Sequence, residues 1–200
     1  ADRSRFETFA KSMIFLPMAI SMVGAGVIWN MIYDVNPNVG LLNAIVTGLG
    51  GKAVAWTAAA NLQPWNNLFL IVIVIWLQTG YAMVLFSAAI KGIPAEIQEA
   101  ARVDGATEMQ VFFQIMIPYI MGTIIAVTTT IVIFTLKIFD VVMVMTGGQF
   151  STQVIATEFY RQSFNAQNSG YGAAIAIVLL IAVVPVMIYN LRQFSQREVF

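Results

Sequence analysis

Four long apolar runs punctuate the chain, and shorter polar stretches separate them. The first, residues 13–33, is long enough to cross the roughly 30 Å hydrocarbon layer, which takes about 20 apolar residues in a helix. Pro17 falls in its opening turns, where a lost backbone donor is cheap. Gly24 and Gly26 leave room for a neighbouring helix, and Trp29 and Tyr33 suit a membrane–water boundary. The second run, residues 68–90, carries Gln78, Thr79, Gly80 and Tyr81 at its centre. Lipid penalises polar groups there, so these residues are expected to face protein or a watery path. The third, residues 118–139, contains Thr128, Thr129, Thr130 and Thr135, whose hydroxyls can bond back to their own helix, and Lys137 near its end. The fourth, residues 172–191, holds Pro185, which predicts a kink. Between the first two, residues 34–67 are broken by Asn-Pro, Gly-Gly and Gln-Pro. They predict a loop with one short interfacial helix and with Trp56 and Trp65 at headgroup level. Residues 140–171 predict a second loop, their apolar positions scattered among Gly, Ser, Asn and Gln.

These elements predict an all-α membrane protein, a polytopic helical bundle of four transmembrane helices in one domain over residues 1–200. Composition agrees. Hydrophobic residues make up 59% and charged residues 10%, less than half the usual quarter for a soluble domain, so a water-soluble surface cannot be coated. Formal net charge is zero, which implies no attraction to nucleic acid. Without Cys there is no disulfide framework or thiolate chemistry, and without His the commonest general base and metal ligand are missing. A membrane enzyme would have to rely on Asp or Glu, and none lies within a predicted span. No catalytic or metal-binding residue is expected. The charged start is not followed by a small-residue cleavage site, so no signal peptide is expected.

Lys and Arg set the orientation. Four spans place Arg3, Arg5, Lys11, Lys91, Arg102, Arg192 and Arg197 on one side, and Lys52, Lys137 and Arg161 on the other. Seven against three puts both ends of the chain and residues 91–117 in the cytoplasm, with the two longer loops outside.

That cytoplasmic stretch is where charges gather. Pro94 suits a first helical turn, Glu96 and Glu99 lie near the positive end of a short helix, and Gly105 suits a left-handed stop. Ile97, Ala100, Ala101 and Val103 give the helix a small, flat apolar face. Thr107 and Gln110 match a capping box, and Met109, Phe112, Phe113, Met116 and Ile117 then form an amphipathic stripe. An exposed helix of small side chains can enter a protein groove, with Glu99 and Asp104 as charged anchors. A well-capped, solvated loop fits the periodicity equally well.

Glu99-Ala100-Ala101, Gly105 after three residues, and Ile115, Ile117 and Pro118 beyond it resemble the EAA motif of binding-protein-dependent ABC importer permeases. Ile117 stands where that pattern usually has Leu. Lys11 to Pro17 resembles the entry to the third helix of sugar-type permeases. Phe139-Asp140, Thr146-Gly147-Gly148 and Phe159 to Phe164 resemble the first subunit of the maltose-type pair. Gln149 and Phe150 replace the usual proline after the glycine pair, and family members have at least six spans. Either two N-terminal helices lie outside this sequence or the form is truncated.

The resemblance implies an ABC type I importer permease fold in a bacterial inner membrane, multi-pass. Its implied partners are a second permease subunit in a heterodimer, two ABC ATPase subunits, an extracytoplasmic solute-binding protein and the lipid bilayer. ATP and Mg would be bound by the ATPase, with no cofactor in this chain. Glu99, Ala100, Ala101, Asp104, Gly105 and Pro118 would form the ATPase-coupling site: Glu99 pairing with a basic residue, the alanines packing in a cleft, Gly105 setting the corner. The expected cargo is a sugar, a di- or oligosaccharide such as an alpha-glucoside, with a polyol or glycerol phosphate as the alternative. Gln78, Tyr81, Phe134 and Thr135 match the substrate path of the maltose type; bonding helix to helix is the competing role for such groups. From another class, a self-sufficient carrier or channel would work without any ATPase.

Overall fold

Twenty-six residues without a proline make α4, Asn66–Lys91, the longest straight element near the chain's middle. At 1.5 Å per residue it is about 39 Å long, and Lys91 in its last turn meets the negative end of the helix dipole. In this computed structural model residues 5–58 and 65–195 are described, with side chains from 7 to 58 and from 65 to 189. The predicted Gln63-Pro64 break, Arg3 and Arg197 lie outside the described residues, as do the side chains of Arg5 and Arg192. Every regular element among the described residues is helical.

The first apolar run is not one straight span. It divides into α1, Arg5–Phe15, a 3-10 turn over Leu16–Ala19, and α2, Met22–Ile32, with a 107° change of direction. Pro17 sits in the tight turn, and Ile20 is extended (φ −87°, ψ 138°). Ser21 then starts α2 as an N-cap, its hydroxyl accepting the Gly24 N–H at 3.0 Å.

After α3, Leu41–Gly48, and α4 come α5, Ala95–Val103, and α6, Glu108–Gln110. A π-helical segment, Val111–Met116, and α7, Ile117–Tyr119, continue α6. The helix then bends by 67° at Ile120 into α8, Met121–Leu136. The described residues hold two helices that can cross a membrane alone, α4 and α11 (Ser169–Ser195), and four spans if each bent pair counts as one. Pro185 lies inside α11.

The predicted second loop is a correction of larger consequence. Asp140–Met145 forms α9, Ile155–Tyr160 forms α10, and a π-helical turn over Arg161–Asn165 follows. Val141, Val142 and Met145 of α9 are buried with Ala25 and Tyr33 from the α2 end and Leu70, Ile73 and Leu77 of α4. That cluster is the core. The Asn30 side-chain amide donates to the Val144 carbonyl at 3.1 Å and ties α9 to α2.

Short α3 agrees with the helix expected in the first loop. Buried Asn43 donates to the carbonyls of Asp34 (2.8 Å) and Val54 (2.9 Å), closing the loop on itself. Trp56 turns inward, edge-on to Phe69 at 5.4 Å, and Tyr33 is buried with its hydroxyl on the Phe69 carbonyl; Trp65 alone of that set is exposed. At Gly80 the helices α1 and α4 touch backbone to backbone. A Cβ there would lie 2.8 Å from the Ile14 carbonyl oxygen and 2.9 Å from Phe15 Cα.

Candidate coupling site

Gly92 caps α4, and Pro94 is the N-cap of α5, one place earlier than a first-turn residue, with extended ψ (134°). At the other end Gly105 adopts φ +82°. Its N–H donates to the Arg102 carbonyl at 3.1 Å, and the Ala106 N–H reaches back to the Ala101 carbonyl at 3.0 Å. This is the paired pattern of a Schellman stop. Two residues on, the predicted capping box forms: Thr107 N–H donates to Gln110 Oε1 at 2.8 Å, and Gln110 N–H to Thr107 Oγ1 at 3.4 Å.

A further tie crosses the corner, and the sequence analysis missed it. The Arg102 guanidinium grips Glu108 with both arms, Nε to Oε1 at 2.7 Å and the terminal nitrogen to Oε2 at 3.1 Å. The hydrogen bond from Arg102, then its charge, holds the Glu108 carboxyl below the usual carboxylate range. Both side chains are exposed, so the pair sets geometry more than stability. Opposite charges six residues apart with a glycine between them were the available signal.

Burial divides the motif. Ile93, Ala101 and Val111 are buried, while Glu96, Glu99, Ala100, Asp104 and Gly105 are exposed and Val103 is 87% exposed. The adjacent alanines thus do different jobs: Ala101 seats α5 on the protein and Ala100 faces out. Glu96, Glu99, Ala100 and Val103 recur at helical spacing along one open face. Pro118 is exposed but stands apart, in α7, two residues before the Ile120 bend. Of the two placements open to the predicted stripe, along the membrane or along the bundle, the bundle is not the one taken: Met109 (67%) and Phe113 (58%) stay exposed, and Val111 is the buried position. A π turn bonds i to i+5, so it rotates the face that α spacing predicts.

Gln78 and Tyr81 are half-buried on α4, Phe134 is half-buried on α8, and Thr135 is exposed. The two helices touch, yet these four side chains line none of the four clefts seen among the described residues. Thr135 donates to the Ile131 carbonyl at 2.8 Å, the expected back-bond, as Thr129 and Thr130 do to Ile125 and Ala126. At the far end of α4 the side-chain amides of Asn66 and Asn67 donate to the carbonyls of Phe150 (3.0 Å) and Ser151 (3.1 Å). Those carbonyls belong to two consecutive left-handed residues, φ 56° and 61°.

Residues 3–197 match the family described as binding-protein-dependent transport system inner membrane component. The chain is 52% identical over 201 residues to the osmoprotective compounds uptake permease protein GgtC of Synechocystis sp., covering 98% of this chain and 71% of that protein. It is 53% identical over 202 residues to the alpha-glucoside transport system permease protein AglF of Rhizobium meliloti, covering 98% and 59%. The chain therefore spans 59% to 71% of the length of these relatives. Its fold matches a chain of a bacterial ABC transporter involved in the import of the acidic polysaccharide alginate, with a TM-score of 0.84 at 21% identity over 100% of this chain and 69% of that one. Bent apolar helices, a capped corner between two of them and a family match over nearly every residue converge: the chain belongs to the binding-protein-dependent inner-membrane components, the multi-pass permease subunits of ABC importers.

Proposed function

We propose that this chain is the permease subunit of an ATP-driven importer of a neutral sugar, with α5 as the helix that docks on the ATPase. The open face of α5 beside a corner locked by three separate devices carries the reading. A docking helix must transmit force rather than bend, and the Schellman stop, the capping box and the Arg102–Glu108 tie resist bending. In this reading Glu99 pairs with a cation of the ATPase, Ala100 lets the helix seat closely, and Val103 is the apolar contact. Asp104 and Gly105 end the docking surface, and Pro118 belongs to the hinge that follows it. Both ends of the chain lie in the cytoplasm. The full transporter holds a second, different permease subunit, two ATPase subunits and an external binding protein. ATP and Mg stay on the ATPase, which does the hydrolysis.

Sugar as cargo is supported by the alpha-glucoside relative and by charge: Lys137, near the end of its span, is the one charged side chain in the predicted spans, which disfavours an anionic solute. The osmoprotective-compound relative favours a second cargo class, small neutral osmolytes, through the same path. Gln78 and Tyr81 would meet hydroxyls along α4, and Phe134 and Thr135 along α8. Glu99→Lys in the reconstituted transporter is expected to abolish ATP-dependent uptake while the permease still inserts and keeps its partner. Normal uptake would refute the docking role. Uptake by the permease without any ATPase would instead establish a self-sufficient carrier.

A further inference from the structure

At the C-terminal end of α2 an open cleft of about 520 Å³ lies between that helix, the first loop and α9. Val27, Met31 and Met145 make its apolar floor, and Asn30, Asp34 and Thr57 bring polar groups to it. Asn30 spends an amide hydrogen on the Val144 carbonyl at 3.1 Å and keeps its side-chain oxygen as an acceptor. One Asp34 carboxylate oxygen accepts the Asn36 N–H at 2.8 Å. The other has no partner, and Asp34 makes no ion pair, among the described residues. Asp34 also directly follows the Tyr33 C-cap of α2, the end of a helix dipole where a carboxylate is disfavoured, so helix stability does not account for it. Thr57 is only 9% exposed, yet its hydroxyl has no hydrogen-bond partner among the described residues. A hydroxyl buried to that degree is costly to leave unpaired, and it lines the cleft.

We propose that this cleft is an additional binding site for a neutral polyhydroxyl ligand, a sugar or polyol, apart from the path along α4 and α8. The polar atoms decide the chemistry. Asp34 offers only lone pairs and Asn30 offers its oxygen, so the ligand must donate at two points. Thr57 has a proton to give, so the ligand must also accept. Neighbouring hydroxyls on one small molecule do both, whereas an ammonium group has no lone pair for Thr57. An anion is turned away by Asp34 and by the negative end of α2. A quaternary ammonium would look for aromatic faces, but the floor is aliphatic and thioether, and the one ring at the cleft, Tyr33, is buried. The bond to the charged Asp34 oxygen is the strongest on offer, and the C–H groups of a sugar can cover Val27, Met31 and Met145. The choice of a sugar rests on the transport reading above; the place does not, since Gln78, Tyr81, Phe134 and Thr135 take no part in this cleft.

Occupancy can be read at the cleft itself. Ala58→Cys adds a thiol at an exposed cleft position, and Leu49→Cys, 85% exposed and outside the cleft, is the reference. The full transporter in nanodiscs is alkylated with N-ethylmaleimide while maltose, trehalose, sucrose or sorbitol is titrated, and the labelled peptide is measured by mass spectrometry. At least one of these probes should slow labelling at position 58, and none at position 49. Asp34→Asn keeps the oxygen that Asn36 bonds but removes the charge, and should raise the half-protecting concentration about tenfold. Thr57→Val keeps the shape and should raise it about fivefold without lowering the unfolding midpoint, because a hydroxyl that served only the fold would cost stability when lost. No protection by any of these probes, protection by choline as strong as by the sugars, or unchanged concentrations in both variants overturns the site. If Thr57→Val does not assemble, Asp34→Asn at a half-buried position still decides. ATP-dependent uptake of the same probes by wild type separates the two readings. Uptake without protection overturns the cleft alone, and protection without uptake overturns the sugar cargo alone.

Discussion

Replacing Gly105 separates conformation from crowding at the corner more cleanly than any other change there. A Cβ built on Gly105 meets nothing within 4 Å, so Gly105→Ala adds no clash. What remains is the backbone: φ +82° costs an L-residue about 1–2 kcal/mol. Lost freedom in the unfolded chain returns part of that, about 0.4–1 kcal/mol. A net loss of about 1 kcal/mol lowers the ratio of closed to open corner roughly fivefold. Asn visits the left-handed region with less strain, so Gly105→Asn should fall between Gly and Ala. Gly105→Pro should be worst, because it fixes φ negative and removes the N–H that bonds Arg102 at 3.1 Å. The chain has no cysteine, so Val103→Cys and Met109→Cys, both at exposed positions, give one clean pair of spin labels across the corner. The width of their distance distribution, and the sugar carried per ATP hydrolysed in the assembled transporter, should both degrade in the order Gly, Asn, Ala, Pro. An alanine variant as narrow and as well coupled as glycine, or an asparagine variant worse than alanine, would refute the left-handed corner as the element that matters.

Acid should loosen the same corner, but late. Glu108 has a depressed folded pKa, so its tie to Arg102 is fully present above the ordinary carboxylate value of roughly 4.3 and is lost only as pH falls through the lower folded one. The label pair should therefore hold its distance down to about pH 5 and broaden below the usual carboxylate range, whereas Glu108→Gln should be broad at every pH; broadening of wild type between pH 7 and 6 would be incompatible with the tie. At the other end of α4, Asn66→Ala removes a fully buried side chain together with its 3.0 Å bond to the Phe150 carbonyl, a loss of about 1–3 kcal/mol. Asn67→Ala, at a half-buried position, should lower the midpoint of thermal unfolding less, and equal shifts would contradict the difference in burial.

What the sequence made legible was local. Helix α4 followed from its unbroken apolar length, and the corner from Gly105, Thr107 and Gln110, each of which acts on its own few neighbours. The elbow in the first run was hidden because hydropathy sums over residues and carries no direction. Yet Pro17 followed by Ser21 three residues before Gly24 was a stop and a start within one apolar stretch. Helix α9 was harder still. Six residues are too few for a periodic signal or for helix stability in isolation, and packing against α2 and α4 supplies what propensity does not. The proposed coupling motif was legible as spacing, but which alanine faces outward depended on where α5 lies against Ile93 and Val111. The same limit held for Gln78, Tyr81, Phe134 and Thr135: their depth was in the sequence, and the faces they present were decided by how α4 meets α8.

Helix α4 joins the two ends of the molecule that the proposed cycle must connect. Its C-terminal end runs through Gly92 into α5 within four residues, and its other end places Asn66 and Asn67 on the loop at Phe150 and Ser151. Between them it is fixed by Leu70, Ile73 and Leu77 in the core and by Gly80 against α1. A helix of about 39 Å held in this way moves as a unit, because shortening or bending it would break backbone bonds inside the hydrocarbon, where nothing replaces them. In the proposed docking, a push on α5 is therefore expected to reach the Phe150–Ser151 carbonyls through α4. Those two residues sit in a conformation that stores about 1–3 kcal/mol each, and two amide hydrogen bonds hold them there. In the proposed cycle, drawing the amides away is expected to release that strain on the loop side.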